Sequence, residues 1–221
     1  MRTDLELEHT KSSLRNRWEA SCAQLSILAL SPKSLAAPSD LGDELIKRYS
    51  ESHRVFHTTA HLLCVLEALD ALSSDPLLQL AAWFHDAIYQ PGMPWNERRS
   101  ARLANVRLAR LGVPQIERNM VAEAVLATRS HDADEPRYAA LLDADLSVLG
   151  ASDMQYQSYC AAIRAEYAFI PLGAFLRGRL RFIEGMLARE AIYHTAPARS
   201  KFEDQARGNL ERELHHLRER V

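Results

Sequence analysis

The chain of 221 residues is long enough to bury one sizeable core. Hydrophobic residues make up 47% and Gly and Pro are sparse, which excludes a disordered chain and leaves a soluble globular one. A formal net charge of −2 excludes a protein built to clamp a long nucleic acid, though a local basic pocket is compatible with it.

The spacing predicts helices throughout. Leu14, Trp18, Cys22, Leu25 and Leu28 recur at three- and four-residue steps and make one amphipathic face. The run from Cys22 to Leu30, with Ser34 to Ala37 behind it, imitates a signal peptide. However, Asp4, Glu6, Glu8 and Glu19 stand where a basic region belongs, and Gln24 and Ser26 interrupt the apolar run. No apolar stretch reaches the ~18 residues of a membrane span, so a cytoplasmic protein without a membrane partner is expected.

Residues 31–39 form a break, after which Ser39-Asp40 is placed to cap a helix carrying Leu41, Leu45, Ile46 and Tyr49. Residues 59–72 are apolar on most sides and predict a central helix. Ser73 to Pro76 stops it and starts the next, which carries His85-Asp86 near its end. Asn96 is placed to cap a helix to Leu111, and Gly112 and Pro114 separate it from another over 115–128. A polar loop, Arg129 to Glu135, precedes helices over 136–149, 153–168, 172–189 and 201–220. Neither an alternating strand pattern nor an internal repeat appears. The expected fold is an all-α, single-domain helical bundle over 1–221, with helices at about 1–30 and about 200–221 packing on the core. Three cysteines, Cys22, Cys64 and Cys160, cannot all pair, and no CxxC spacing suggests thiolate zinc. Cys64, inside the apolar helix, reads as core filler.

Within the run Leu80 to Tyr89, His85 and Asp86 sit side by side among apolar residues. Burying two adjacent ionisable groups is costly unless something pairs with them. A divalent metal satisfies both, and so does a structural His-Asp hydrogen bond. Two further segments bear on the choice. His53-Arg54-Val55-Phe56-His57-Thr58-Thr59-Ala60-His61 lies upstream and leads into an apolar helix. Asp143-Ala144-Asp145-Leu146 lies downstream and opens another apolar run.

A histidine, then His-Asp, then Asp before an apolar run resembles the HD superfamily of metal-dependent phosphohydrolases. The family's ligand order is H, HD, D, and the resemblance maps it onto His61, His85, Asp86 and Asp145. His61 is taken over His57 because a branched residue, Val65, follows four positions on. Asp145 is taken over Asp143 because it directly precedes Leu146. Tyr49-Ser50-Glu51-x-His53-Arg54, Trp83-Phe84-His85-Asp86-Ala87-x-Tyr89, Asn96-Glu97-x2-Ser100-Ala101 and Ala127-Thr128-Arg129-x-His131 look like one bacterial subgroup of predicted HD phosphohydrolases. Ile192-Tyr193-His194-Thr195 and Asn209-Leu210 continue the likeness, which extends over nearly the whole chain.

The resemblance implies an all-helical domain and hydrolysis of a small phosphorylated molecule, a nucleotide foremost, by water activated at a divalent metal. Two imidazoles and two carboxylates suit Mn²⁺, Fe²⁺, Co²⁺, Ni²⁺ or Zn²⁺, and suit Mg²⁺ less. Asp86 would serve both as ligand and in catalysis. Glu97 reads either as the residue that handles the water's proton or as an acidic residue favouring a helix N-terminus. His57, four residues before His61, reads as substrate-facing, as an extra ligand, or as structural. His131 reads as a substrate or second-metal histidine or as solvent-facing, and Arg129 as a phosphate binder or a helix C-terminal charge. Arg54 and His53 are further phosphate-binding candidates. Tyr49 and Tyr89 could stack on a base or fill the core. His194, His215 and His216 are assigned no chemistry. Two other functions fit the pattern: a non-catalytic sensor that binds metal or nucleotide, and an HD-type di-iron oxygenase. A homo-oligomer is compatible with the sequence.

Overall fold

A computed structural model of the protein describes residues 4–26, 37–132 and 135–219. Among these residues the fold is all-α, with ten α-helices and no strand. Helices α1 (Asp4–Ser26), α2 (Pro38–Arg48), α3 (Thr59–Leu72), α4 (Pro76–Phe84), α5 (Asn96–Arg110), α6 (Gln115–Ala127) and α7 (Ala139–Asp145) surround one apolar cluster. Leu14 and Trp18 bring α1 into it, and Trp18 meets Trp83 edge-on with ring centroids 5.2 Å apart. A second cluster joins a 3₁₀ segment, Leu146–Gly150, to α8 (Asp153–Glu166), α9 (Leu172–Leu187) and α10 (Ala196–Arg218). The seam between the two clusters runs through Asp145-Leu146. No described helix is long and apolar enough to cross a membrane.

Helix α3 is central and has the bounds its sequence predicts, with the Thr58 hydroxyl accepting the Ala60 N–H at its start. Cys64 is a correction. It lies on the exposed face with Glu67 and Asp70, three and six residues on, while His61, Leu62, Val65, Leu66 and Leu69 turn inward. The 3.6-residue period therefore puts Cys64 outside an otherwise apolar helix.

Several helix ends fall elsewhere than expected. Helix α2 opens on Pro38 after Ala37, so Ser39 and Asp40 lie within its first turn and neither caps it. Asn96 is likewise the first residue of α5, and its amide clips the loop by exchanging two hydrogen bonds with the Gln90 backbone. Residues 136–149 divide into a 3₁₀ turn, α7 and a 3₁₀ segment. Helix α10 begins five residues before Lys201, behind the Thr195 hydroxyl, which accepts the Ala198 N–H. The signal-like run and the break near 31–39 fall largely on residues 27–36, outside the described residues.

Candidate metal centre

Three helix ends meet at the seam. His61 is the third residue of α3, His85 is the C-cap of α4, and Asp145 is the last residue of α7. Asp86 was expected inside α4 but lies in the turn after it, for a local reason. The Ala82 carbonyl, which would accept the Asp86 N–H in a continuing helix, is taken by His85 Nδ1 at 2.8 Å. The Asp86 N–H goes instead to the Tyr49 hydroxyl at 3.2 Å. The helix stops, and the Asp86 carboxylate swings beside the His85 ring.

The resulting distances are short. His61 Nε2 and His85 Nε2 lie 3.3 Å apart. Asp86 Oδ2 is 3.3 Å from His85 Nε2 and 4.0 Å from His61 Nε2. Asp145 Oδ1 is 3.1 Å from His61 Nε2 and 3.5 Å from His85 Nε2. His61, His85 and Asp86 form a group that could hold a metal ion, with ligand atoms all within 4.8 Å of one another. Asp145 joins them through the two imidazoles. His85 Nδ1 donates to the Ala82 carbonyl, so the neutral ring turns its Nε2 lone pair into the centre.

The electrostatics fit one tightly knit group. Burial pulls the His61 imidazole below its usual range, although the Asp145 carboxylate beside it works the other way. Burial also acts to lower His85, but the charges of Asp86 and Asp145 overcome it and push the ring up to about 9. Burial resists ionisation of Asp86 and Asp145, yet His85 holds both carboxyls below their ordinary values, helped by His57 at Asp86 and His131 at Asp145.

His57 does not sit on α3, which begins two residues later. It lies in the preceding turn, 19% exposed, with Nε2 3.9 Å from Asp86 Oδ2 and its ring stacked on Tyr89 at 4.1 Å. His131 Nε2 lies 2.9 Å from Asp145 Oδ2. Glu97 is half-buried in the first turn of α5, and the structure joins it to the centre by no hydrogen bond or ion pair among the described residues. Arg129 stands exposed just past α6, Arg98 is exposed, and Arg99 stacks over Trp95. His215 and His216 are exposed on α10.

Arg54 is a correction. Its guanidinium is fully buried and makes five hydrogen bonds, to Glu51 twice and to the carbonyls of His57, Asp86 and Ala87. A guanidinium has five N–H donors, so none remains for a phosphate. Arg54 instead ties the His57 turn to the His-Asp turn. His53 caps the Tyr89 carbonyl at 2.8 Å. Tyr49 is wholly buried, and Tyr89 hydrogen-bonds Glu166 at 3.2 Å, so both belong to the wall behind the centre.

Glu166, at the end of α8, is the residue that sequence reading missed. Its Oε1 accepts the backbone N–H groups of Val55, Phe56 and His57, at 2.8, 3.2 and 3.2 Å. Its Oε2 pairs with His57 Nδ1 at 2.6 Å. Burial opposes its charge, but His57 and those N–H groups hold the carboxyl at about 2. Asp143 was set aside in favour of Asp145 and proves to be a buried anchor, accepting the backbone N–H groups of His194 and Thr195 at 2.7 Å each. No local motif announces either role. Comparison with known proteins found no matching family model, curated relative or solved structure.

Proposed function

We propose that the protein is a metal-dependent phosphohydrolase acting on a small phosphorylated molecule, a nucleotide being the class to test first. In this reading His61, His85, Asp86 and Asp145 hold one divalent ion. The observation that carries it is the spacing of their donor atoms. Two atoms each ~2.1 Å from one ion, at angles between 90° and tetrahedral, lie ~3.0–3.4 Å apart. The separations of 3.1, 3.3, 3.3 and 3.5 Å fall in or beside that range, and the 4.0 Å between His61 Nε2 and Asp86 Oδ2 fits two ligands more nearly opposite each other. A bound divalent cation lowers the pKa of a coordinated water towards ~7 in favourable cases and polarises a phosphoryl oxygen.

The chain's own groups divide the remaining work. His85, donating to the Ala82 carbonyl, keeps a fixed tautomer. Arg54 holds the backbone of Asp86 and His57 in register. His57 is the substrate-facing imidazole: Glu166 fixes its Nδ1 side, and Nε2 points towards Asp86 at the partly open edge. His131 flanks Asp145, and the exposed Arg129 stands just before it in sequence, where it can meet a phosphate. Glu97, in no ion pair among the described residues, is the proposed carboxylate for moving the water's proton. The mixed imidazole and carboxylate set suits Mn²⁺, Fe²⁺, Co²⁺, Ni²⁺ or Zn²⁺ better than Mg²⁺.

The test is phosphate release from a panel of nucleotides with each of these ions, Mg²⁺ included, and with Asp86→Ala as the blank. Metal-dependent release above the blank supports the hydrolase. Wild type indistinguishable from the blank throughout, with calorimetry still showing tight nucleotide binding, would replace it by a sensor.

A further inference from the structure

We infer that Arg189 and His194 are positioning residues: they hold His131 in a left-handed turn so that its ring fixes which oxygen of Asp145 faces the metal. The inference rests on the proposed metal centre and deepens it.

Its starting point is the backbone of His131. With φ at +54°, it is the non-glycine residue with positive φ among the described residues. Such a backbone is uncommon outside glycine and persists where its surroundings impose it. The turn alone does not explain the residue, because Gly ends a helix this way at less cost. What the histidine adds is its ring, whose Nε2 sits 2.9 Å from Asp145 Oδ2. The other oxygen, Oδ1, is the one within 3.1 and 3.5 Å of His61 and His85. His131 thereby separates the two oxygens of one carboxylate, one inward and one held back. A carboxylate so held offers a metal a single oxygen.

The strained turn is gripped from the segment between α9 and α10. Arg189 Nη1 donates to the His131 carbonyl at 2.9 Å, and its Nη2 donates to the Ser130 carbonyl and to Asp132 Oδ1 at 3.0 and 2.9 Å. His194 Nε2 donates to the same His131 carbonyl at 2.9 Å. The backbone N–H groups of His194 and Thr195 are themselves anchored on Asp143, two residues before Asp145 on α7. The connections close a ring from Asp145 through His131 and His194 to Asp143 and back along one helix. Both aspartates of the Asp-Ala-Asp run then serve one purpose, Asp145 facing the ion and Asp143 fixing the strap that orients it.

The experiment is a mutant cycle read by Co²⁺ binding, with affinity from chelator competition and geometry from the visible absorption of the bound ion. Arg189→Gln and His194→Phe should each weaken Co²⁺ by about 10-fold and alter its spectrum, the lower end of what loss of an outer support costs. His131→Asn tolerates the left-handed backbone but lacks the imidazole. It should lose at least as much affinity. In that background Arg189→Gln should cost nothing further, because Arg189 acts through His131. Unchanged Co²⁺ affinity in Arg189→Gln, or an equal loss with and without His131, overturns the inference while the metal centre stands. A wild-type protein that takes up no Co²⁺ overturns the metal centre and this inference together.

Discussion

Replacing Glu166 by glutamine tests how much one buried carboxylate contributes to the seam between the two helical clusters. The wild-type side chain is fully buried and accepts from three backbone N–H groups, from the Tyr89 hydroxyl and from His57. Glutamine keeps the shape but has one accepting oxygen, and its NH₂ must face donors. The carboxyl falls from 4.5 to about 2 on folding. At ~1.36 kcal/mol for each tenfold in proton affinity, that fall sets a ceiling of roughly 3 kcal/mol, and Glu166→Gln should cost about 2–3 kcal/mol. A depressed folded value means the stabilisation is complete above 4.5 and fades as the pH drops to about 2. Urea unfolding of both proteins between about pH 2 and pH 7 should show the difference in stability closing over that window, since a protonated glutamic acid resembles glutamine. Acid titration of other carboxyls affects both proteins alike and cancels. A difference that stays constant with pH would refute the assignment of Glu166 as a charged anchor.

Other expectations follow from the same contacts. His85→Ala should abolish retention of a divalent metal in element analysis and lower the thermal midpoint, because a metal bound only by the folded state stabilises it; wild-type occupancy in this variant would remove the proposed site. Glu97→Gln should keep metal and fold but lose roughly 10²-fold in turnover on an identified substrate, whereas an unchanged rate would confine Glu97 to favouring the α5 N-terminus. Gly150→Ala should destabilise the protein by about 1–3 kcal/mol in denaturant titration, because the added Cβ would stand 2.8 Å from the Phe202 carbonyl oxygen and 2.7 Å from its Cβ; stability equal to wild type would mean that α10 can shift away.

Much of this protein is legible along the chain. Apolar periodicity alone predicts a helical bundle and gives α3 its bounds, because both depend on residues within a few positions of one another. The residue types of the centre are legible too: two ionisable neighbours in an apolar run demand a partner, and the order of His61, His85, Asp86 and Asp145 carries the resemblance. Contacts between distant segments decided the rest. The hydroxyl of Tyr49 takes the Asp86 N–H from 37 residues away, ends α4 and turns the carboxylate inward. Glu166 reaches His57 across 109 residues, and nothing around either one signals the pairing. The two aspartates of Asp-Ala-Asp differ only in what packs beside them, the strap that precedes α10 at Asp143 and three histidines at Asp145. Hydrophobic period is a local property that every few residues declare. The partner of a buried charge is whichever group the packed helices bring within 3 Å of it, so it is fixed only when the chain has folded.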